Sequence, residues 1–491
     1  AVCSGTPLAI VNRMPTRLRF RPVVLAALLA ACATNPVTGR RELALVSEQQ
    51  EIAMGQQGAA EVVASIGLVD DPALQQYVER IGLALARRSE RPNLPWSFRV
   101  VDDPVPNAFA LPGGPIFVTR GLLALMQNEA ELASVLGHEI AHVTARHSVR
   151  QISRQQAAQL GLVFGAVFSP QVAQYGELLG QGLQLAFLKY GRDDEREADD
   201  VGFRYALAQN YDVREMDDVF EQLRRVGEAS GASPVPSWLS THPDPGERVE
   251  RTRARAAQIT QPLDALRTNT DAFMERMNGL VYGENPRQGY FDGNRFFHPE
   301  LRFQFALPAG WRAQNTPQAV IAMSAEQDAM LQLTLAGRGS PEDAARQFLS
   351  QQGIRAGQPT QLTVNGIPAI ASYFEAQQQQ QIVQGMVAFL SYGGNTYQLV
   401  GYAPQGRFQA RDAAIRASIG SFAPLTDAAA LARQPDRLRS MRLTTATTPA
   451  QLARQSTVNA ATLALLNQVD SENTPIPAGR TVKTVVRGST R

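Results

Sequence analysis

Cysteine is nearly missing from this chain: among 491 residues only Cys3 and Cys32 are present, both close to the start. A disulfide framework is thereby excluded for the body of the protein. Net charge is almost absent too, since 47 basic and 45 acidic residues leave +2. Charge therefore implies no polyanionic partner, and no nucleic acid. The two conspicuous apolar runs, 23–31 and 160–168, are too short to cross a bilayer as resident helices. No repeat of fixed period is found. Histidine is scarce, five in all, so any grouping of histidines carries information. The length alone suggests two to four domains.

Three of those histidines lie in one stretch, 128–148. Asn128 followed by Glu131 reads as an N-cap with its capping-box partner. Leu132, Val135, Leu136, Ile140 and Val143 then recur at helical spacing, which predicts a helix burying one stripe. Inside it stands H-E-x-x-H, as His138, Glu139 and His142. Histidines four apart share one helix face, so both imidazoles reach a single ion. Glu139 projects beside them, where a carboxylate accepts a proton from water activated by the metal. A core helix that merely carries two histidines is the plainer alternative.

A catalytic zinc site takes a third protein ligand from elsewhere. The metzincin pattern needs glycine three and histidine six residues after His142, but Ala145 and Ser148 stand there, with His147 one short. A carboxylate from a later helix is the alternative. Within Gly191-Arg192-Asp193-Asp194-Glu195-Arg196-Glu197-Ala198-Asp199, Glu195 and Asp199 are four apart and share a face, while Glu197 points away. Glu195 then ligates the ion, and Asp199 accepts the outer N–H of a ligand histidine. A solvated acidic face is the other reading of such a run. These ligand types favour one zinc ion per chain, with cobalt and manganese the other metals of such a set.

Before this region, Arg17, Arg19 and Arg21 precede the apolar run 23–31, which reads as an export signal, with Met14 as a candidate start. Leu29-Ala30-Ala31-Cys32 resembles a bacterial lipobox. That resemblance implies lipidation of Cys32, loss of Cys3, and, with Ala33 following, the outer membrane. Helices are expected from Ser47 past Val63 and from Asp71-Pro72, with Leu74, Val78, Ile81 and Leu85 buried. Strands are expected at 98–101 and around 111–114, where Pro112, Gly113 and Gly114 mark an edge strand or hairpin. An edge there either binds an extended peptide by strand addition or closes an ordinary small sheet.

The run 160–168 reads as a buried or lid-like helix, and further helices are expected at 193–209, 214–226 and 247–259. After a linker-like stretch the pattern changes to alternation, as in Leu301, Phe303, Phe305 and Leu307. Strands with helices at 341–349 and 410–419 predict an α+β domain with an antiparallel sheet. It has no cluster of catalytic residue types, and His298 stands alone. Residues 437–487 read as β-α-α-β, with Thr448-Pro449 and Asn459 starting the helices.

His138-Glu139-x-x-His142, Glu195-x-x-x-Asp199 and Ser240-Thr241-His242-Pro243, in that order, resemble the gluzincin metallopeptidases of family forty-eight. The clan includes HtpX and the CAAX prenyl protease, and the likeness is nearest to BepA-like periplasmic members. Asn35-Pro36-Val37-Thr38-Gly39 also resembles their lipoprotein relatives, and the likeness covers about 32–259. It implies His138, His142 and Glu195 as zinc ligands and Glu139 as general base. It also implies a role for His242, either a fourth ligand that keeps the enzyme latent or a group that stabilises the transition state. Arg248 is a candidate to steady an oxyanion or to pair with a carboxylate. His147 and Arg146 match common family residues without an assigned chemistry.

Residues 298–425 resemble the PsbP-type fold, and 437–487 resemble a LysM module through Leu452, Leu463, Asn467 and Gly479. Ala446-Thr447 replaces the usual Gly-Asp of that module, which bears on glycan contact. The fold expected is thus multi-domain: a mainly helical zincin protease domain with a small sheet, an α+β domain, and a LysM-like module. The boundaries are an export signal at 1–31, protease domain 32–262, linker 263–296, α+β domain 297–425, connector 426–436 and module 437–491. The function implied is a lipid-anchored periplasmic zinc endopeptidase acting on misfolded or unassembled envelope proteins, with peptidoglycan contact through the module. The competing function is a chaperone or assembly factor for outer-membrane proteins with a latent zinc site.

Overall fold

The computed structural model describes residues 32–159, 189–230, 238–242, 245–260, 262, 265–316, 318–378 and 381–488. The candidate export signal and the 160–168 run lie outside the described residues. Two compact units result, Ala1–Tyr282 with Arg437–Val486, and Gly283–Asp436 with Arg487–Arg491.

In the first unit, capping chemistry sets the helix starts. Ser47 and Gln50 form a complete capping box at the head of helix Glu48–Ile66. Asp71 accepts from the Leu74 N–H at the head of Pro72–Ala86, where Pro72 occupies the first turn. The histidine helix is Glu129–Thr144, and Asn128 Oδ1 accepts from the Glu131 N–H at 2.9 Å. The reciprocal half of the box reaches one residue further: Glu131 Oε2 accepts from the Gln127 N–H at 2.9 Å.

The single buried stripe expected for this helix is not what forms. All 16 of its residues are buried, because helices Pro72–Ala86, Arg192–Ala208 and Glu215–Ser230 and strand Ala108–Ala110 pack around it. It is a central core helix. Strand Pro115–Thr119 lies between Ser97–Val101, to which it is parallel, and the edge strand Ala108–Ala110, to which it is antiparallel. Residues 111–114 are thus the hairpin turn rather than a strand, with Gly113 and Gly114 at φ 77 and 127. The edge strand's three residues are themselves buried.

One close approach makes the site possible. A Cβ on Gly202 would lie 2.6 Å from the His138 backbone nitrogen, and one on Gly137 would lie 2.9 Å from the Gly202 carbonyl oxygen. Only glycine at both positions lets Arg192–Ala208 cross the histidine helix backbone to backbone. That crossing carries Glu195 and Asp199 to the histidines.

Of the stretch 263–296, expected as a linker, the described residues 265–296 include a helix and short strands. Helix Thr270–Met277 buries Phe273, Met274 and Met277, apolar positions that the surrounding Gly- and Asn-rich composition obscures. Strand Val281–Tyr282 pairs with Asp436–Arg442, which also pairs with Thr481–Arg487. The C-terminal β-α-α-β segment forms with Thr448 and Asn459 as caps, but it belongs to the first unit. Leu438, Leu463, Leu466 and Val485 share one core with the histidine helix. Lys483, 0% exposed, donates to the Ala124 and Met126 carbonyls, each at 2.6 Å.

The second unit is built on an antiparallel sheet. Its order is Arg312–Asn315, Ala319–Met323, Met330–Gly337, Asn395–Pro404, Gln381–Tyr392, Ile367–Gln378 and Ile354–Ala356, with Thr360–Val364 also on Ile367–Gln378. Helices Pro341–Leu349 and Phe408–Gly420 contact it. The 312–315, 319–323 and 360–364 strands escape the sequence pattern, being short or mixed in polarity. Among the described residues no helix is long and apolar enough to cross a membrane.

Candidate metal centre

The H-E-x-x-H face of the histidine helix points its imidazoles at the acidic helix Arg192–Ala208. His138 Nε2 and His142 Nε2 are 3.0 Å apart. Each lies 3.5 Å from a Glu195 carboxylate oxygen. His242, at the end of the short helix Trp238–Thr241, brings Nδ1 within 3.2 Å of His138 Nε2 and 3.0 Å of Glu195 Oε1. All four side chains are buried, and one donor atom from each lies within 4.8 Å of the others.

Four lone-pair atoms packed this closely repel one another unless a proton or a cation sits among them. The donor separations, 3.0–3.5 Å with Glu195 offering either oxygen, are of the size expected between ligands of one ion held at about 2.0–2.1 Å. Nitrogen and carboxylate donors are those zinc takes. Beside them Glu139 is 0% exposed and neither carboxylate oxygen has a hydrogen-bond partner. A buried carboxylate left unpaired is costly, and His242 Nε2 lies 3.6 Å from Oε1. The residues present therefore fit a metal ion of the kind zinc is, with a buried carboxylate beside it.

The surroundings hold this set in place. Asp199 Oδ1 lies 2.9 Å from His138 Nδ1, the nitrogen turned away from the cluster, which orients that ring. Arg248 donates to both Asp199 oxygens, from Nε at 2.8 Å and Nη2 at 2.6 Å. Its Nη1 is 3.0 Å from Glu195 Oε2, close but without the alignment of a hydrogen bond. The guanidinium is thus engaged with carboxylates, and it lies against Phe220 and Trp238, 4.1 and 4.5 Å from their centroids. Burial opposes ionisation of Asp199, yet Arg248 and His138 outweigh it and bring its pKa down to about 2. Glu195 is likewise lowered, because His242 and Arg248 overcome its burial. Burial, then the neighbouring positive groups, pushes His142 well below the usual imidazole value. For His242 burial also disfavours the charge, but Glu195 and Glu139 prevail and its pKa is raised.

The structure brings together His138, Glu139, His142, Glu195, Asp199, His242 and Arg248. Cys32 stands apart, in a short strand paired with Arg41–Leu43. His298 lies in the second unit, away from any metal-binding group among the described residues. Sequence reasoning did not find Trp238, whose ring stacks on His242 at 4.7 Å, or Tyr190, stacked on His142 at 3.9 Å. Tyr190 Oη meets Ser148 Oγ at 2.9 Å, and its N–H donates to the Thr241 carbonyl, tying it to the loop that carries His242. An aromatic four residues before His242 was a usable signal for Trp238; nothing local marks Tyr190.

Residues 72–256 match the family model described as peptidase family M48. The beta-barrel assembly-enhancing protease of Yersinia pestis is 34% identical over 241 residues, 47% of this chain and 49% of that protein. The protein of the same name from Escherichia coli (strain K12) is 31% identical over 245 residues, 48% and 50% of the two chains. The mitochondrial metalloendopeptidase OMA1 of Schizosaccharomyces pombe is 32% identical over 222 residues, 44% and 64%. The chain thus spans about half the length of its bacterial relatives. A solved cyanobacterial PsbP from Synechocystis is 13% identical and covers 26% of this chain and 89% of its own, with a TM-score of 0.22, too low to bear on fold or function. Residues 72–256, which hold both helix histidines, Glu195 and His242, are thus similar to peptidase family M48.

Proposed function

We propose that the chain is a zinc-dependent endopeptidase. The observation that carries this is the convergence of His138, His142, Glu195 and His242 beside the unpartnered, fully buried Glu139. A zinc ion held there supplies the Lewis acidity that polarises an amide carbonyl and acidifies water. His138, His142 and Glu195 present the donors, and Asp199, steadied by Arg248, keeps Nε2 of His138 turned inward. Glu139 takes the proton of the attacking water and passes it to the leaving amine. Trp238 and Tyr190 flank the imidazoles and exclude solvent from them.

His242 supports a second reading. Its Nδ1 stands among the donors, where it competes for the position that water needs, and its Nε2 faces Glu139. On this reading the site is latent, and the chain serves as a chaperone or assembly factor for outer-membrane proteins until His242 moves. Casein cleavage by wild type, His242→Ala and Glu139→Gln separates the two. The endopeptidase reading expects wild type to cleave and Glu139→Gln to be inert with zinc bound, whereas an inert wild type that His242→Ala activates would favour the latent site. A zinc-loaded wild type and His242→Ala that both fail to cleave would leave only the assembly role.

Substrates are polypeptides, and the relatives' name supports unassembled β-barrel proteins of the envelope as the class. The lipobox-like run ending at Cys32 supports a lipid anchor and an outer-membrane, periplasmic location. The β-α-α-β form of 437–487 supports a LysM-like module contacting peptidoglycan: Leu443, Ala464, Val469, Ile476 and Val482 form a core of their own, while Leu438, Leu463, Leu466 and Val485 join that of the histidine helix.

A further inference from the structure

Two features singled out in the sequence, the Asn35-Pro36-Val37-Thr38-Gly39 run and His147, take no part in the chemistry above. The structure aligns them. Arg146, at φ 58, turns the chain between the histidine helix and helix His147–Gln159. The turn folds the His147 ring back until its Nδ1 lies 2.8 Å from Nδ1 of His142. That is the His142 nitrogen opposite the one in the donor cluster. Nε2 of His147 makes no short hydrogen bond and faces Glu197 Oε2 at 3.5 Å. The other Glu197 oxygen accepts from Asn35 Nδ2 at 3.3 Å.

The direction of this chain of contacts is determined from its far end. Asn35 is 3% exposed, and its Oδ1 accepts the N–H groups of Val37 and Thr38 at 2.8 and 3.2 Å. Two backbone donors assign that atom as oxygen, so the atom facing Glu197 is the amide nitrogen. Glu197, acceptor-only when ionised, then faces the N–H of His147 Nε2. A neutral His147 carries one proton, so its Nδ1 is left as acceptor for the N–H of His142 Nδ1. His142 Nε2 is thereby deprotonated, as a metal ligand must be. The outer nitrogen of His138 meets a carboxylate, Asp199, directly at 2.9 Å; the outer nitrogen of His142 meets one through a second imidazole.

Asn35 itself is held by a tight loop. Its N–H donates to the Arg40 carbonyl at 2.8 Å, and its own carbonyl accepts from Gly39 N–H at 2.9 Å. The hairpin of strands Cys32–Thr34 and Arg41–Leu43 is pinned to the helices on both sides of the site: Arg150 joins Glu42 to Asp194, and Leu45 N–H donates to Ser153 Oγ at 2.9 Å.

We propose that His147, Glu197 and Asn35 are positioning residues that fix the tautomer of His142, so that seating of the hairpin beginning at Cys32 sets the metal affinity of the centre. The proposal rests on the zinc-site reading. If Cys32 is lipidated, the membrane anchor and the metal ligand are only four side chains apart: Asn35, Glu197, His147 and His142.

The test uses the full chain and two readouts other than cleavage: zinc affinity by competition with a chromophoric chelator, and the His142 tautomer from long-range ¹⁵N–¹H imidazole spectra. His147→Leu should weaken zinc by about 10–100-fold, and Glu197→Gln and Asn35→Ala by about threefold or more. His147→Asn, which keeps an acceptor oxygen at the Nδ1 position, should stay near wild type, as should Asp193→Asn on the exposed side of the acidic helix. Wild-type His142 should carry its proton on Nδ1, and His147→Leu should lose that preference. Thermal melts of the chelated variants separate loss of fold from loss of affinity, and Asn35→Ala carries the test should His147→Leu not fold. Wild-type affinity in both His147→Leu and Asn35→Ala, or an equal loss in His147→Asn and His147→Leu, would overturn the proposal. A wild type that binds no zinc would overturn the zinc-site reading and this proposal with it.

Discussion

The first unit buries charge and the second does not. Around the histidine helix, Glu129, Glu131, Glu139, Glu195, Asp199, Arg248 and Lys483 are all buried, as are the ion pairs Arg91–Glu51 and Arg120–Asp102. Among the described residues of 283–436, the buried polar side chains are Asn285, Ser324, Gln332, Ser372, Thr396 and Ser418, none of them charged. The interior of that unit is aromatic and aliphatic instead, with Phe303 packed on Tyr397 and Phe422 at 5.0 and 5.1 Å. Burying charge is rarely a net gain in stability over apolar packing. A region that keeps so many buried charges in its core is shaped by chemistry or by specific docking, and one without them is shaped by packing. The candidate metal centre lies in the unit that buries charge.

The sharpest way to break this comparison is at the base. Glu139→Gln should lower peptide hydrolysis by about 10²–10⁴-fold while zinc content and melting temperature hold; retained cleavage in a zinc-replete sample would sink the assignment. Next in size is the removal of one buried partner in each unit. Asp199→Ala removes both hydrogen bonds of Arg248 to a carboxylate, leaving it the unaligned Glu195 contact, and should cost ~3–5 kcal/mol of stability, measured by denaturant unfolding. Phe303→Ala should cost a similar ~3–5 kcal/mol by opening a cavity, yet leave zinc affinity unchanged, because the second unit supplies no donor. A drop in zinc binding there would blur the division.

Two smaller effects probe how the first unit is assembled. Lys483→Met removes the donor from the Ala124 and Met126 carbonyls and should cost about 1–3 kcal/mol, read as a lower melting temperature. Gly202→Ala inserts a methyl against the His138 backbone and should cost about 1–3 kcal/mol, with a measurable loss of zinc affinity as the helices part. The smallest effect is in acid. Asp199 is held at about 2 against an ordinary 3.8, so its contribution is present above pH 4 and is lost as pH falls through 2. Asp199→Asn should flatten the stability profile across that window, as followed by urea unfolding at stepped pH.

Much of the first unit was legible because its signals are local. Asn128, Ser47 and Asp71 cap the helices they were expected to cap, since a cap needs only the residue and the two or three after it. The alternating strands of the second unit were legible for the same reason. The 111–114 run reads as an edge strand or a hairpin, and it forms the turn of a hairpin, because proline and glycine serve a turn as well as an edge. The full burial of the histidine helix was not legible, because its polar positions face other elements rather than water.

The sequence by itself determined the spacing of His138 and His142, the Glu139 between them, and the shared face of Glu195 and Asp199, because a helix converts interval into direction. Only the tertiary structure decided that His242 stands among the donors and that Arg248 is engaged by carboxylates. It alone joined 437–486 to the peptidase core and put His147, Glu197 and Asn35 on one line behind His142. Those contacts link residues as few as five and as many as hundreds apart through turns, a glycine crossing and buried pairing, none of which leaves a period in the chain.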